Sequence, residues 1–213
     1  MRSYVAMGDS FTAGLDPRGP RWADEVARAL GPGVRYANLA EVGATSEQVE
    51  AEQLERAIEF EPELVSLVCG ANDVLLSTRP DVGEYASRLE RMFERLRSAA
   101  PDATILTATY PDISRFLDLR PRSHARVERG MRVFNAAARR VARSQDVLLL
   151  EGFDHPAAHH RATFGADGFH PSEEGHRHAA REFLRALRGR VGGQLRRIPR
   201  PGDAIDRGGT ASA

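Results

Sequence analysis

Short, mainly apolar runs recur along the chain at 3–7, 34–38, 63–69, 104–109 and 146–151. Each is too short for a stable helix and suits a strand covered on both faces. Between them, apolar positions return at helical spacing over about 20–30, 46–59, 82–99 and 122–144, and again over 172–188. This strand–helix alternation predicts a five-stranded parallel sheet between two helical layers, a three-layer α/β/α domain. Local signals agree with it. A cap precedes the helix that begins near Ser46, and Pro171-Ser172-Glu173-Glu174 opens the last helix with acidic residues at its positive end. From about 189 the periodicity stops: Gly192-Gly193, Pro199, Pro201, Gly202 and Gly208-Gly209 break it, and arginines outnumber acids. The expected organisation is one domain over 1–188 and a disordered Arg/Gly/Pro-rich tail over 189–213.

Composition narrows the function classes. The 213 residues are 41% hydrophobic and 28% charged, ordinary proportions for one globular domain with a sizeable core. Thirty basic and thirty acidic side chains cancel, so no global field favours nucleic acid or an anionic membrane. No apolar run has the length of a membrane span, and the first strand leaves no room for a signal peptide, so a cytoplasmic protein is expected. The lone cysteine, Cys69, excludes an internal disulfide and reads as a small core residue. There is neither a phosphate-cradling Walker loop nor a dinucleotide fingerprint, and no cofactor is expected. Histidines 155, 159, 160, 176 and 178 crowd the last quarter of the chain, but their spacing matches no metal-ligand set with its acidic partners. His176 and His178 read as parts of an exposed polar helix face, and the others as loop-surface residues.

Candidate chemistry lies at the strand ends. Gly8-Asp9-Ser10-Phe11 ends the first run, and Asn38 to Ser46, containing Gly43, follows the second. Gly70-Ala71-Asn72-Asp73 ends the third, and Asp167-Gly168-Phe169-His170-Pro171 precedes the last helix. In an open α/β sheet such positions border the crevice where ligands bind. Ser10 alone reads equally well as a helix cap. The four segments together resemble, in order, the blocks of the SGNH (GDSL-type) hydrolases over about residues 1 to 188. No Gly-x-Ser-x-Gly elbow is present, which sets the chain apart from the α/β-hydrolase fold.

The resemblance implies the flavodoxin-like strand order 2-1-3-4-5. It also implies a serine esterase, with Ser10 as nucleophile, His170 as general base and Asp167 orienting the imidazole. The implied oxyanion hole comprises the Ser10 N–H, the Gly43 N–H and the Asn72 side-chain amide. Asp9 is expected to brace its turn through backbone hydrogen bonds. The expected partner is a small-molecule ester, with no nucleic acid, no membrane span and a monomer or weak homodimer. Two alternatives remain open: an acyltransferase using the same serine, and a non-catalytic ligand-binding module. The stretches Val74–Val82 and Pro111–Gly130 are candidates for shaping the pocket. The second reads as a hydrophobic flap, an arginine clamp or a surface connection.

Overall fold

The computed structural model describes residues 1–16, 18–152 and 154–190. Five strands, β1 (Ser3–Gly8), β2 (Arg35–Asn38), β3 (Leu64–Val68), β4 (Thr104–Ala108) and β5 (Leu148–Leu150), form one sheet in the order β2-β1-β3-β4-β5. Every pairing is parallel. All five predicted strands are present, each within a few residues of its expected bounds. The central strands β1 and β3 are buried at every position, whereas β2 and β5 at the edges are only partly covered. The partial cover of β2 suits the polar Arg35 and Asn38 that it carries.

Right-handed crossovers assign the helices to faces. The helix α2 (Trp22–Leu30) joins β1 to β2, and α8 (Glu173–Arg190) packs beside it. The indole of Trp22 stacks on the Phe183 ring, with centroids 4.1 Å apart and planes at 10°. On the other face lie α3 (Ser46–Gln48), a π-turn over Val49–Gln53, α4 (Leu54–Glu59), α6 (Val82–Ala99) and α7 (Pro121–Ser144). There Tyr85 stacks on Phe134 at 4.5 Å. Two one-turn helices, α1 (Ser10–Ala13) and α5 (Ala71–Leu75), follow β1 and β3 directly and were not predicted. No helix among the described residues is long and apolar enough to cross a membrane. Residues 189 and 190 continue α8, and the remainder of the expected tail lies outside the described residues.

The sequence expectation for His176 needs correcting. It is 6% exposed and faces the core, where its Nδ1 accepts a hydrogen bond from the Trp22 N–H at 3.4 Å. Burial pushes its pKa down to about 4, so it is a neutral packing residue. The helical period put this histidine on α8, but its facing residue comes from a helix more than a hundred positions away.

Two buried amide side chains fix the ends of strands. Gln53, in the π-turn, bridges both backbone groups of Gly8, accepting from its N–H at 2.8 Å and donating to its C=O at 2.9 Å. Asn135, on α7, treats Tyr110 the same way, both bonds being 2.9 Å. The Tyr110 hydroxyl then donates to Asp9 Oδ2 at 2.6 Å, joining the residue after β1 to the segment after β4. Asp9 Oδ1 accepts from the Phe11 N–H at 3.0 Å and caps α1. Asp9 is fully buried, and desolvation raises its pKa to about 7 against the lowering effect of these hydrogen bonds.

Two outcomes are expected. Trp22→Ala removes the stack on Phe183 and opens a cavity between α2 and α8, lowering stability in urea unfolding by about 3–5 kcal/mol. For Asp9, the folded chain retains a proton that the unfolded chain has released between about pH 4 and pH 7. The group therefore subtracts stability as pH rises through that window, by up to roughly 1.4 kcal/mol per unit. Unfolding of Asp9→Asn beside the wild type checks this: the variant gains relative stability between those limits and shows a constant difference above them.

Candidate active site

In the strand order β2-β1-β3-β4-β5 the chain departs from β1 toward opposite edges of the sheet, to β2 and then to β3. The crevice of such a sheet opens where the connections diverge, outside the C-terminal ends of the strands. Ser10 follows β1 and Asn72 follows β3, so both border that crevice. Asp9, not Ser10, supplies the helix cap, which leaves Ser10 as the first residue of α1. Its N–H has no acceptor within so short a helix and no partner among the described residues. The hydroxyl has one: Ser10 Oγ lies 2.9 Å from His170 Nε2.

His170 comes from the connection between β5 and α8. Two 3₁₀ turns, Pro156–His159 and Arg161–Thr163, lead into a tight loop closed by an antiparallel bridge between Phe164 and Pro171. Gly168 sits at its tip with φ +70°, and a Cβ there would lie 2.4 Å from the Phe116 carbonyl oxygen. Only glycine satisfies both the left-handed backbone and the close approach. Arg161 holds the loop from outside, donating to the carbonyls of Phe164, Gly165 and Ala166 at 2.9, 2.7 and 3.1 Å.

Asp167 Oδ2 is 2.6 Å from His170 Nδ1, while Oδ1 accepts the N–H groups of Phe169 and His170 at 2.9 and 3.0 Å. Desolvation acts to raise the Asp167 pKa, but the hydrogen bonds from the His170 ring and the two backbone groups outweigh it and hold the carboxyl below its ordinary value. An ionised Asp167 accepts a hydrogen bond from the Nδ1–H, which holds the ring proton on Nδ1 and leaves the Nε2 lone pair toward Ser10. The imidazole is flanked by aromatic rings, Phe169 at 4.2 Å and Phe11 at 6.0 Å between centroids.

Gly43 stands on the loop after β2 and Asn72 in the first turn of α5, and the two segments are tied together. Asn72 Nδ2 donates to the Ala44 carbonyl at 3.0 Å, which occupies one of its two N–H groups. The adjacent Asp73 accepts from both the N–H and the hydroxyl of Ser46, at 2.9 and 2.5 Å. Thr45 closes a capping box with Gln48 at the start of α3. Just before these ties Gly43 is exposed at φ +84°, with open space where a Cβ would be and no partner for its N–H among the described residues. Asp73, Tyr110 and Arg161 all support the site and were not among the residues expected to do so. Asp73 was visible beside Asn72 in the sequence, but a carboxylate that reaches 27 positions away leaves no local trace.

Cys69 is buried, and desolvation raises its thiol pKa well above the ordinary range, which suits a core residue. His159 and His160 are exposed, as expected of loop-surface residues. A mainly apolar cavity of about 420 Å³ lies between the ends of β4 and β5, the 3₁₀ turns and α8. Phe11 forms part of its wall, whereas Ser10 and His170 do not.

The model of the GDSL-like lipase/acylhydrolase family matches residues 6–178. No curated protein matches the chain. Among solved structures, the lipase/acylhydrolase from Enterococcus faecalis superposes with a TM-score of 0.72 at 24% identity, covering 89% of this chain and 97% of its own. An enzyme from the metagenome of Lake Arreo, Spain, gives 0.68 at 26%, covering 87% and 94%. The acetylxylan esterase Axe2 from Geobacillus stearothermophilus gives 0.69 at 22%, with the same coverage. At these identities the superpositions speak for the fold, while the family match spans most of the chain and all four motif segments. The chain belongs to the GDSL-like lipase/acylhydrolase family and is a hydrolase of the ester class.

Proposed function

We propose that the chain cleaves small carboxylic esters through an acyl-Ser10 intermediate. The observation that carries this reading is the continuous hydrogen-bonded series from Ser10 Oγ through His170 to Asp167 at the C-terminal edge of the sheet. Ser10 Oγ attacks the ester carbonyl carbon as its proton passes to His170 Nε2. Asp167 stabilises the resulting imidazolium. The tetrahedral intermediate collapses when the C–O bond to the alcohol breaks and His170 returns the proton to that oxygen. A water molecule then gives its proton to His170 and attacks the acyl carbon. The carboxylic acid leaves as the proton goes back to Ser10.

Negative charge that develops on the carbonyl oxygen needs donors already in place. Three uncommitted N–H groups support that part of the reading: those of Ser10 and Gly43, and the second hydrogen on Asn72 Nδ2. They follow β1, β2 and β3, three adjacent strands. The ties from Asn72 to Ala44 and from Asp73 to Ser46 set the Gly43 loop before substrate arrives, so little reorganisation is left for the transition state.

Steady-state hydrolysis of p-nitrophenyl acetate and butyrate tests the assignment. Ser10→Ala, His170→Ala and Asp167→Asn are each expected to lower kcat by roughly a thousandfold or more. Asn72→Ala is expected to lower it by about 100- to 1,000-fold with a smaller change in KM. Turnover by Ser10→Ala at the wild-type rate would refute the mechanism. A fall confined to KM in Asn72→Ala would remove Asn72 from the oxyanion hole.

A further inference from the structure

His178 and Glu182 are four residues apart on α8 and therefore share one face of the helix. Opposite them stands His155, which precedes the first 3₁₀ turn and caps it, its Nδ1 accepting the Ala157 N–H at 3.2 Å. His178 Nε2 lies 3.1 Å from that same His155 Nδ1. One ligand atom from each of His155, His178 and Glu182 lies within 4.8 Å of the other two, and all three residues are partly buried. This is the one such group of histidine, cysteine and carboxylate side chains among the described residues. We propose that His155, His178 and Glu182 bind one divalent transition-metal ion of the Zn²⁺ type, which joins the turn after β5 to α8.

The spacing fits the ion. Tetrahedral coordination with metal–ligand bonds near 2.0–2.1 Å places neighbouring donor atoms about 3.3 Å apart. The two imidazole nitrogens already stand close to that separation, at 3.1 Å, and a Glu182 oxygen lies within 4.8 Å of both. The tautomer fits as well. By accepting the Ala157 N–H, His155 Nδ1 is the unprotonated ring nitrogen, with the ring proton on Nε2, and a metal bound at Nδ1 takes over the lone pair that now holds the Ala157 N–H. Three competitors must yield, the first being the Ala157 N–H on His155 Nδ1, which turns to solvent. The proton between the two rings is displaced by the ion. The carboxylate leaves Arg185, whose Nη1 is 2.6 Å from both Glu182 oxygens; that arginine is 73% exposed, so water solvates it when the pair opens. Two imidazoles and one carboxylate favour Zn²⁺ and its neighbours over Ca²⁺ or Mg²⁺, which prefer all-oxygen sites. All three side chains line the 420 Å³ cavity, so its interior offers room for a water as fourth ligand.

The sequence conceals this set. His155 and His178 are 23 positions apart, and only the return of the chain onto α8 brings them together. An ion here would clasp the same connection that carries Asp167 and His170 farther along.

The test is isothermal titration of the full chain, without a histidine tag, with ZnCl₂ alone. One ion per chain is expected, together with a rise in Tm on saturation. His178→Gln and Glu182→Gln should each weaken binding by roughly tenfold to a hundredfold or more. His155→Asn should do the same while keeping a side-chain acceptor for the Ala157 N–H. His159→Gln and His160→Gln should bind as the wild type does. Circular dichroism shows whether each variant is folded, and Glu182→Gln carries the test if a histidine variant is not. Failure of the folded wild type to bind would overturn the proposal. So would undiminished binding by both α8 variants, or binding that depends on His159 or His160. The readout is metal occupancy, so it stands apart from the Ser10 chemistry.

Discussion

The hydrogen bond between Ser10 and His170 joins residues 160 positions apart, and it is only as good as the framework that brings the two ends of the domain together. Ser10 is fixed from the sheet side. Gln53 holds both backbone groups of Gly8, and Asp9 is held by Tyr110 and by its own helix cap. His170 is fixed from the helix side, by the closed loop ahead of α8 and by the docking of α8 on α2 through Trp22 and Phe183. The two halves also meet directly. Trp22 Nε1 donates to the Phe11 carbonyl at 2.9 Å, and the Phe11 ring touches both Tyr110 and Phe169. Phe11, in the helix that Ser10 begins, is thus held by α2, by the segment after β4 and by the loop that carries His170.

Holding reacting groups in this way has a cost, and the buried Asp9 shows it. Its carboxyl is held by a phenol and backbone N–H groups, with no cationic partner among the described residues, and burial drives its pKa up to about 7. A carboxylate placed in the core at the end of a central strand is unfavourable for stability at neutral pH. It does, however, tie the turn before Ser10 to the segment after β4. Asp167 contrasts with it. Partly exposed and given three hydrogen bonds, it remains ionised, as an orienting group for an imidazole requires.

The layered fold was legible because parallel strands buried on both faces write themselves as apolar runs, and long helices repeat often enough to show their period. Ser10 and Asn72 were legible because they sit at the ends of those runs, and Asp167 and His170 because they stand just before the last helical pattern. One-turn helices such as α1 and α5 are too short to show a period, and the π-turn over Val49–Gln53 is hidden inside a longer helical pattern. Polar residues that face inward were the least visible. Gln53, Asn135 and His176 lie on helices where a polar residue ordinarily marks the solvent face. What makes them core residues is a partner on another element: Gly8, Tyr110 or Trp22. The cluster of His155, His178 and Glu182 was missed for the same reason.

On the reading proposed above, Ser10 is the nucleophile because His170 and Asp167 make it one. Reaction with a fluorophosphonate probe, followed by peptide mapping in the mass spectrometer, tests it most directly. The account predicts a single adduct on Ser10 in the wild type and a severe slowing of its formation in His170→Ala. An adduct on any other residue, or an active enzyme that leaves Ser10 unmodified, would contradict it.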